Sequence, residues 1–273
     1  VIVGGREDKA DERVVLREIA RVSTGGPLVV VSAASAFPDE VGEEYRVAFG
    51  ALGVDGVVHL PVASRADALG GRGLAAHLAV LARASGVFFT GGDQLKLTTK
   101  LGGTPLLAAI REVFARGGVI AGTSAGAAAM STTMIVHGGD TRSHRLSEAL
   151  HMAPGLGFVD GLIIDQHFAQ RGRVARLLAA VAQNPSVIGV GIDEDTGILL
   201  EGDSPCFRVI GSGACSVIDG QGITWSNVTE REDRTLSVFD VRLHVLNAGD
   251  VFDTVTHRPS DPDQVRAQRE LRT

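Results

Sequence analysis

Short β-branched apolar runs alternate with stretches of helical periodicity through the first two-thirds of the chain, and this alternation leaves few folds open. Leu28-Val-Val-Val31, Gly86-Val-Phe-Phe89 and Val119-Ile-Ala-Gly122 carry apolar residues at successive positions. A strand buried on both faces reads this way, whereas a strand with one wet face alternates. Residues 1–3 and 56–60 read as two further strands. Between them lie helical stretches at 9–22, 38–52, 73–84 and 104–116. In the first, Val14, Val15, Ile19 and Val22 share roughly one side, and in the last Pro105 suits the first turn. The β-α-β-α order predicts a parallel sheet with helices on both faces. A strand at 162–165 and a helix at 173–182 are expected to continue it. After about Val187 the pattern becomes strand after strand, at 187–192, 198–201, 206–210, 214–218 and 236–246. These are expected to form an antiparallel extension of the same sheet or a packed second layer. The stretch 135–149, rich in His, Arg, Gly and Thr, reads as a loop or short helix. No linker or shift in composition marks a second domain. The expectation is one α/β domain over 1–255 and a flexible tail over 256–273.

The 273 residues are enough for a substantial core. Lys plus Arg number 26 and Asp plus Glu 32, a formal charge of −6, so the basic footprint of a nucleic-acid binder is missing. No uncharged apolar stretch approaches the ~20 residues that span a bilayer, and no membrane partner is expected. Cys206 and Cys215 form no CxxC pair and cannot alone build a zinc tetrahedron; they read as buried thiols rather than a disulfide. No basic region followed by an apolar run is visible from Val1 onward. A cytoplasmic protein is expected, with secretion the alternative if a leader precedes Val1.

Gly122-Thr-Ser124-Ala-Gly126 matches the G-x-S-x-G nucleophile elbow, and it lies between an apolar strand and an Ala-rich helical run. A sharp strand-to-helix turn needs small neighbours, which Gly122 and Gly126 supply. It places the Ser124 hydroxyl at the carboxyl end of the sheet and at a helix N-terminus, where the N–H of Ala125 is a natural oxyanion donor. Gly91-Gly-Asp-Gln94 follows another strand, so Gly92 is a second candidate donor and Gln94 a pocket residue, although Asp93 also reads as a plain helix N-cap.

A serine nucleophile needs a base and a group to orient that base. Of eight histidines, His167 is best placed, just beyond the apolar run Leu162-Ile-Ile-Asp165. The acid candidates are Asp193, Glu194 and Asp195 after another apolar run; their adjacency does not choose among them. Arg171, Arg173 and Arg176 cluster directly after His167, and a guanidinium fork suits carboxylate recognition.

Together these blocks resemble the cyanophycinases, members of the serine peptidase family that also holds aspartyl dipeptidase. The resemblance runs from the first Val-Gly-Gly strand to about Ile210 and rests on Gly91-Gly-Asp-Gln94, Gly122-Thr-Ser-Ala-Gly-Ala127, Asp165-Gln-His-Phe168 with its arginines, and Gly191-Ile-Asp-Glu-Asp195. It implies a Ser124–His167–Glu194 triad in which the acid follows the histidine, opposite to the α/β-hydrolase order. It implies a flavodoxin-like three-layer sandwich related to class I glutamine amidotransferases, with Ser in place of Cys. It implies a substrate pocket of Gln94, Asp165, Gln166, Arg171, Arg173 and Arg176, with Asp165 pairing the substrate guanidinium. The expected partner is the cyanophycin polymer, cut exolytically into β-aspartyl-arginine by a homodimer without metal or other cofactor. Competing readings are a relative cutting other aspartyl or β-aspartyl dipeptides, a carboxylesterase and a non-catalytic ligand-binding relative. Gly197 departs from the family, where Ala is expected, and 141–149 looks less typical of it.

Overall fold

The computed structural model describes residues 1–71, 73–137, 150–202, 204–228 and 235–260. The chain runs through β1 (Ile2–Val3), α1 (Val14–Val22), β2 (Leu28–Val31), α2 (Pro38–Gly50), β3 (Val58–Leu60), α3 (Arg65–Leu69), α4 (Leu74–Leu81), β4 (Gly86–Phe89), α5 (Gln94–Leu101), α6 (Pro105–Ala115), β5 (Val119–Thr123) and α7 (Ala125–Ala128). It continues through β6 (Thr133–His137), β7 (His151–Pro154), β8 (Leu162–Gln166), α8 (Val174–Gln183), β9 (Ile188–Ile192), β10 (Thr196–Leu200), β11 (Cys206–Gly211) and β12 (Cys215–Asp219). The last elements are β13 (Trp225–Ser226), β14 (Val238–Phe239), β15 (Arg242–Leu246), β16 (Val251–Asp253) and β17 (Arg258–Ser260).

Five parallel strands, in the order β1-β5-β4-β2-β3, form one side of a nine-stranded sheet. Beyond β1 the sheet continues antiparallel through β10, β11, β16 and β17. Successive side chains divide between its faces. Leu28, Val30, Phe88 and Ala121 pack with Val15, Leu16 and Ile19 of α1 and Tyr45 and Phe49 of α2. Val29, Val31, Val87, Phe89 and Ile120 pack on the other face with Leu81 of α4, Leu97 and Leu101 of α5 and Ile110 and Val113 of α6. Burying each such side chain is worth about 1.5–3 kcal/mol. This two-sided demand is why the runs lack polar positions.

A second sheet of four strands, β15-β12-β9-β8, packs beside the first. Ile164, Val190, Ile192 and Val217 join the larger core, while Ile163 and Ile218 face Leu177, Ala180 and Val181 of α8. Strand β8 therefore does not continue the large parallel sheet as expected; it pairs parallel with β9 in the smaller one. An apolar run reports burial on two faces and is silent about which sheet buries it. Both expected fates of the C-terminal strands occur: β10 and β11 extend the large sheet, and β9 and β12 build the second layer.

Three local expectations change. Helix α1 starts at Val14, not residue 9, because the Asp8 carboxylate accepts the backbone N–H groups of Ala10, Asp11 and Arg13 and ties them into a turn. Part of the expected loop at 135–149 is β6, paired antiparallel with β7; residues 138–149, including His144, lie outside the described residues. The expected tail begins too early. Residues 258–260 form β17 against β16, an edge position that tolerates Pro259, and His257 is buried with Nδ1 2.9 Å from Asp219. Residues 261–273 lie outside the described residues. Cys206 and Cys215 open strands of different sheets and are in no disulfide.

Candidate active site

Strand β5 ends at Thr123 and helix α7 starts at Ala125, so Ser124 alone makes the turn, at φ 52 and ψ −113. This conformation is sterically costly for a residue with a Cβ and survives only where its surroundings impose it. Those surroundings are visible. The N–H of Ser124 donates to the carbonyl of Val3 at 3.0 Å. A Cβ on Gly122 would lie 2.8 Å from the backbone of Gly126, and one on Gly126 would lie 2.4 Å from the carbonyl of Phe89. Ala125 is the first residue of α7, so its N–H has no acceptor within the helix. The loop after β4 lies alongside: a Cβ on Gly91 would touch Ser124 Cβ at 3.3 Å. Gly92 has φ +140, and a Cβ there would fall 2.1 Å from the carbonyl of Ala34. Asp93 caps α5 through the N–H of Leu95.

His167 follows β8 of the smaller sheet and is 95% buried, which sets it at the seam between the two sheets. Its Nε2 lies 2.9 Å from Ser124 Oγ, and its Nδ1 lies 2.8 Å from Glu194 Oε1. With Nδ1–H donating to the carboxylate, Nε2 is left to accept the serine proton. Burial pulls the imidazole pKa below its ordinary 6.5; the hydrogen bond to Glu194 opposes this, and the charges of Arg171 and Arg173 add to it. The ring is neutral at pH 7, the state a general base requires.

The three adjacent acids have different partners. Asp193 accepts the N–H groups of Ala169 and Ala214, and Asp195 accepts those of Asp8 and the hydroxyl of Ser212. Both brace the tight connection between β9 and β10. Only Glu194 of the three meets His167. Asp195 also takes a left-handed backbone, φ 48, within this tight connection.

Around this row, Gln166 Oε1 lies 3.5 Å from Ser124 Oγ. Arg171 is exposed, and Arg173 donates to the carbonyl of Gln166 at 2.5 Å. Burial brings the Arg173 guanidinium down to about 10, so it stays charged at neutral pH. Two expected pocket residues have internal partners. Asp165 is 99% buried, and its carboxylate is held by the fork of Arg176, by Arg173 and by the N–H of Gln166. In this arrangement the Asp165 carboxylate and the Arg176 fork satisfy one another. Gln94 does not point freely into the pocket; its amide donates to the carbonyls of Ile135 and Val136 and ties α5 to β6. Among the described residues no group of three or more His, Cys, Asp or Glu could hold a metal, and no helix is long and apolar enough to cross a membrane.

Residues 3–206 match the model of peptidase family S51. The chain belongs to peptidase family S51. It is a serine-type peptidase, and so a hydrolase. A cyanophycinase of Synechococcus elongatus is 38% identical over 260 residues, covering 94% of this chain and 79% of that protein. One of Geminocystis herdmanii is 34% identical, covering 95% and 94%, and one of Trichormus variabilis 37%, covering 92% and 84%. Among solved structures, a peptidase from an acI-B1 Actinobacterium superposes with TM-score 0.68 at 20% identity, over 92% of this chain and 94% of that one. A putative peptidase E protein from Listeria monocytogenes superposes with TM-score 0.53 at 18% identity, over 72% and 93%. These two likenesses concern the fold: a mixed α/β protein whose large sheet is parallel on one side and antiparallel on the other, with further antiparallel strands.

Two groups at this S51 site escaped the sequence reading. Gly5 has φ +106, and a Cβ there would fall 2.4 Å from Cε1 of His167. Glu7 is 96% buried and accepts the hydroxyl of Thr123, the residue before Ser124, at 2.6 Å. The only signal for the first is a pair of glycines closing a strand, and for the second an acid in a segment with no periodicity.

Proposed function

We infer that this S51 peptidase is a cyanophycinase: a serine exopeptidase that hydrolyses cyanophycin, multi-L-arginyl-poly-L-aspartate, to β-aspartyl-arginine dipeptides. The observation that carries the reading is the unbroken hydrogen-bonded row Ser124–His167–Glu194. The name borne by relatives at 34–38% identity over most of the chain supports the substrate. In the proposed mechanism Ser124 Oγ attacks the aspartyl carbonyl as His167 Nε2 takes its proton. Glu194 holds the imidazole in the required tautomer and stabilises the imidazolium. The N–H groups of Ala125 and Gly92 receive the oxyanion. His167 returns the proton to the leaving amine, and a water that it then activates hydrolyses the acyl-enzyme on Ser124. No step calls on a metal or cofactor.

Arg171 and Arg173 are read as the clamp for substrate carboxylates, with Gln166 beside the nucleophile. Asp165 and Arg176 brace Arg173 from behind, and Gln94 sets the pocket wall through β6. The remaining parts of the reading are a flavodoxin-like three-layer sandwich akin to class I glutamine amidotransferases, one catalytic domain reaching Ser260, a homodimer and a cytoplasmic location.

The test is to incubate the purified protein with insoluble cyanophycin, with β-aspartyl dipeptides and with simple esters, and to read products by mass. Release of β-aspartyl-arginine from the polymer supports the reading. Turnover of only the dipeptides or the esters replaces it with a dipeptidase or an esterase.

A further inference from the structure

The segment that follows β1, Gly4-Gly5-Arg6-Glu7-Asp8, touches the neighbourhood of all three members of the row. The carbonyl of Gly4 accepts the N–H of His167 at 2.8 Å, and that of Gly5 accepts the N–H of Asp195 at 2.9 Å. A Cβ on Gly4 would lie 2.0 Å from the carbonyl of Asp193, and one on Gly5 would enter the His167 ring, so both positions bring backbone where a side chain does not fit. Arg6 Nε lies 3.5 Å from Glu194 Oε1, and the N–H of Asp8 donates to Asp195 Oδ1 at 2.9 Å. Glu7 turns inward. One of its oxygens accepts Thr123 Oγ1 at 2.6 Å and the other accepts the hydroxyl of Tyr45. Burial and the Glu7 charge hold the Tyr45 phenol well above its ordinary value, so it stays a donor. Lys9 sits 4.3 Å over the Tyr45 ring and pairs with Glu44 on α2.

A carboxylate in an almost dry site needs such donors, and a strained turn needs an external hold. The hydrogen bond from Thr123 to Glu7 meets both requirements at once. We propose that this segment is a positioning strap for the catalytic row, with Glu7 its central residue: by fixing Thr123 it fixes the strained backbone that presents Ser124 to His167. Glu7 touches no substrate and transfers no proton; it acts through Thr123. The inference rests on Ser124 being the nucleophile of the proposed peptidase and is independent of which polymer is cut.

The measurement is the rate of Ser124 phosphonylation by a small fluorophosphonate, which reports nucleophile activation without the natural substrate. It is run beside kcat and KM on cyanophycin for wild type, Glu7→Gln, Thr123→Val and Thr123→Ser. Misplacing a reacting group by an ångström costs about a hundredfold. Thr123→Val, which keeps the shape and deletes the hydroxyl, is expected to label and turn over about tenfold to a hundredfold more slowly at unchanged KM. Thr123→Ser restores the hydroxyl and with it a rate near that of wild type, and Glu7→Gln falls on the side of Thr123→Val. Should Glu7→Gln fail to fold, the Thr123 pair decides alone. Wild-type labelling rates in Thr123→Val, or equal loss in Thr123→Ser, overturn the strap. A wild type that is not labelled removes the nucleophile, and the strap with it. A wild type that is labelled but leaves cyanophycin intact removes only the substrate reading, and the labelling rates still decide.

Discussion

Gly5 and His167 are in contact as backbone against ring: a methyl group on the Gly5 α-carbon would fall 2.4 Å from Cε1 and 2.5 Å from Nε2 of the imidazole. The ring can occupy its place between Ser124 and Glu194 only because position 5 has no side chain. Gly5→Ala combines a left-handed backbone cost of about 1–2 kcal/mol with an overpacking cost of about 1–3 kcal/mol. The expected outcome is a lower melting temperature together with loss of peptidase activity greater than the unfolded fraction explains. Thermal unfolding and activity on one preparation check it.

Of the three neighbouring acids, Glu194 is the one whose carboxylate meets His167, and the proposed mechanism gives it the orienting role. Glu194→Gln leaves the shape and removes the carboxylate that orients His167, so kcat is expected to fall by about three to four orders of magnitude with the fold intact. Asp193→Asn and Asp195→Asn weaken the brace between β9 and β10. They are expected to lower stability by about 1–3 kcal/mol each and kcat far less. Denaturant unfolding and kcat for the three variants separate the roles.

On the proposed mechanism, activity is expected to follow the protonation of His167. Its pKa lies below 6.5 because burial penalises the imidazolium more than Glu194 rewards it. Catalysis needs the neutral ring, so kcat/KM is expected to rise with pH along a limb centred below 6.5 and to be flat through neutrality. Removing the opposing influence in Glu194→Gln moves the residual limb lower still. A pH–rate profile of wild type and variant reads both shifts.

Asp165 and Arg171 should fail in different ways. Asp165→Asn breaks a buried ion pair with Arg176 and strands a buried charge, a loss of about 3–5 kcal/mol of stability. Arg171 is exposed beside the row, so Arg171→Ala is expected to leave stability within about 0.5 kcal/mol. If Arg171 clamps a substrate carboxylate as proposed, the expected effect is a raised KM for cyanophycin. Melting curves and steady-state kinetics distinguish the two.

These outcomes also show what was readable beforehand. The parallel half of the large sheet was legible because a strand covered on both faces must be apolar throughout, and Val29 and Val30 serve opposite faces of one strand. The elbow was legible because Gly122 and Gly126 are demanded by contacts within the turn itself. Strand β8 went to the other sheet because Leu162 to Ile164 reads the same in either. The internal pairing of Asp165 is not legible in the sequence, because a carboxylate near arginines reads alike whether its partner is a ligand or Arg176. Glu7 was invisible for the opposite reason: its partners Tyr45 and Thr123 lie 38 and 116 positions away, and nothing local announces them.

The central claim is that Ser124, His167 and Glu194 act as one unit on cyanophycin. It is tested most directly by β-aspartyl-arginine release from purified polymer by wild type, Ser124→Ala and the double variant Ser124→Ala/His167→Ala. Groups acting as a unit are non-additive, so Ser124→Ala alone is expected to lower kcat by about a millionfold and the second substitution to lower it no further. Dipeptide release by Ser124→Ala at a rate near that of the wild type, or a further large loss in the double variant, would contradict the account.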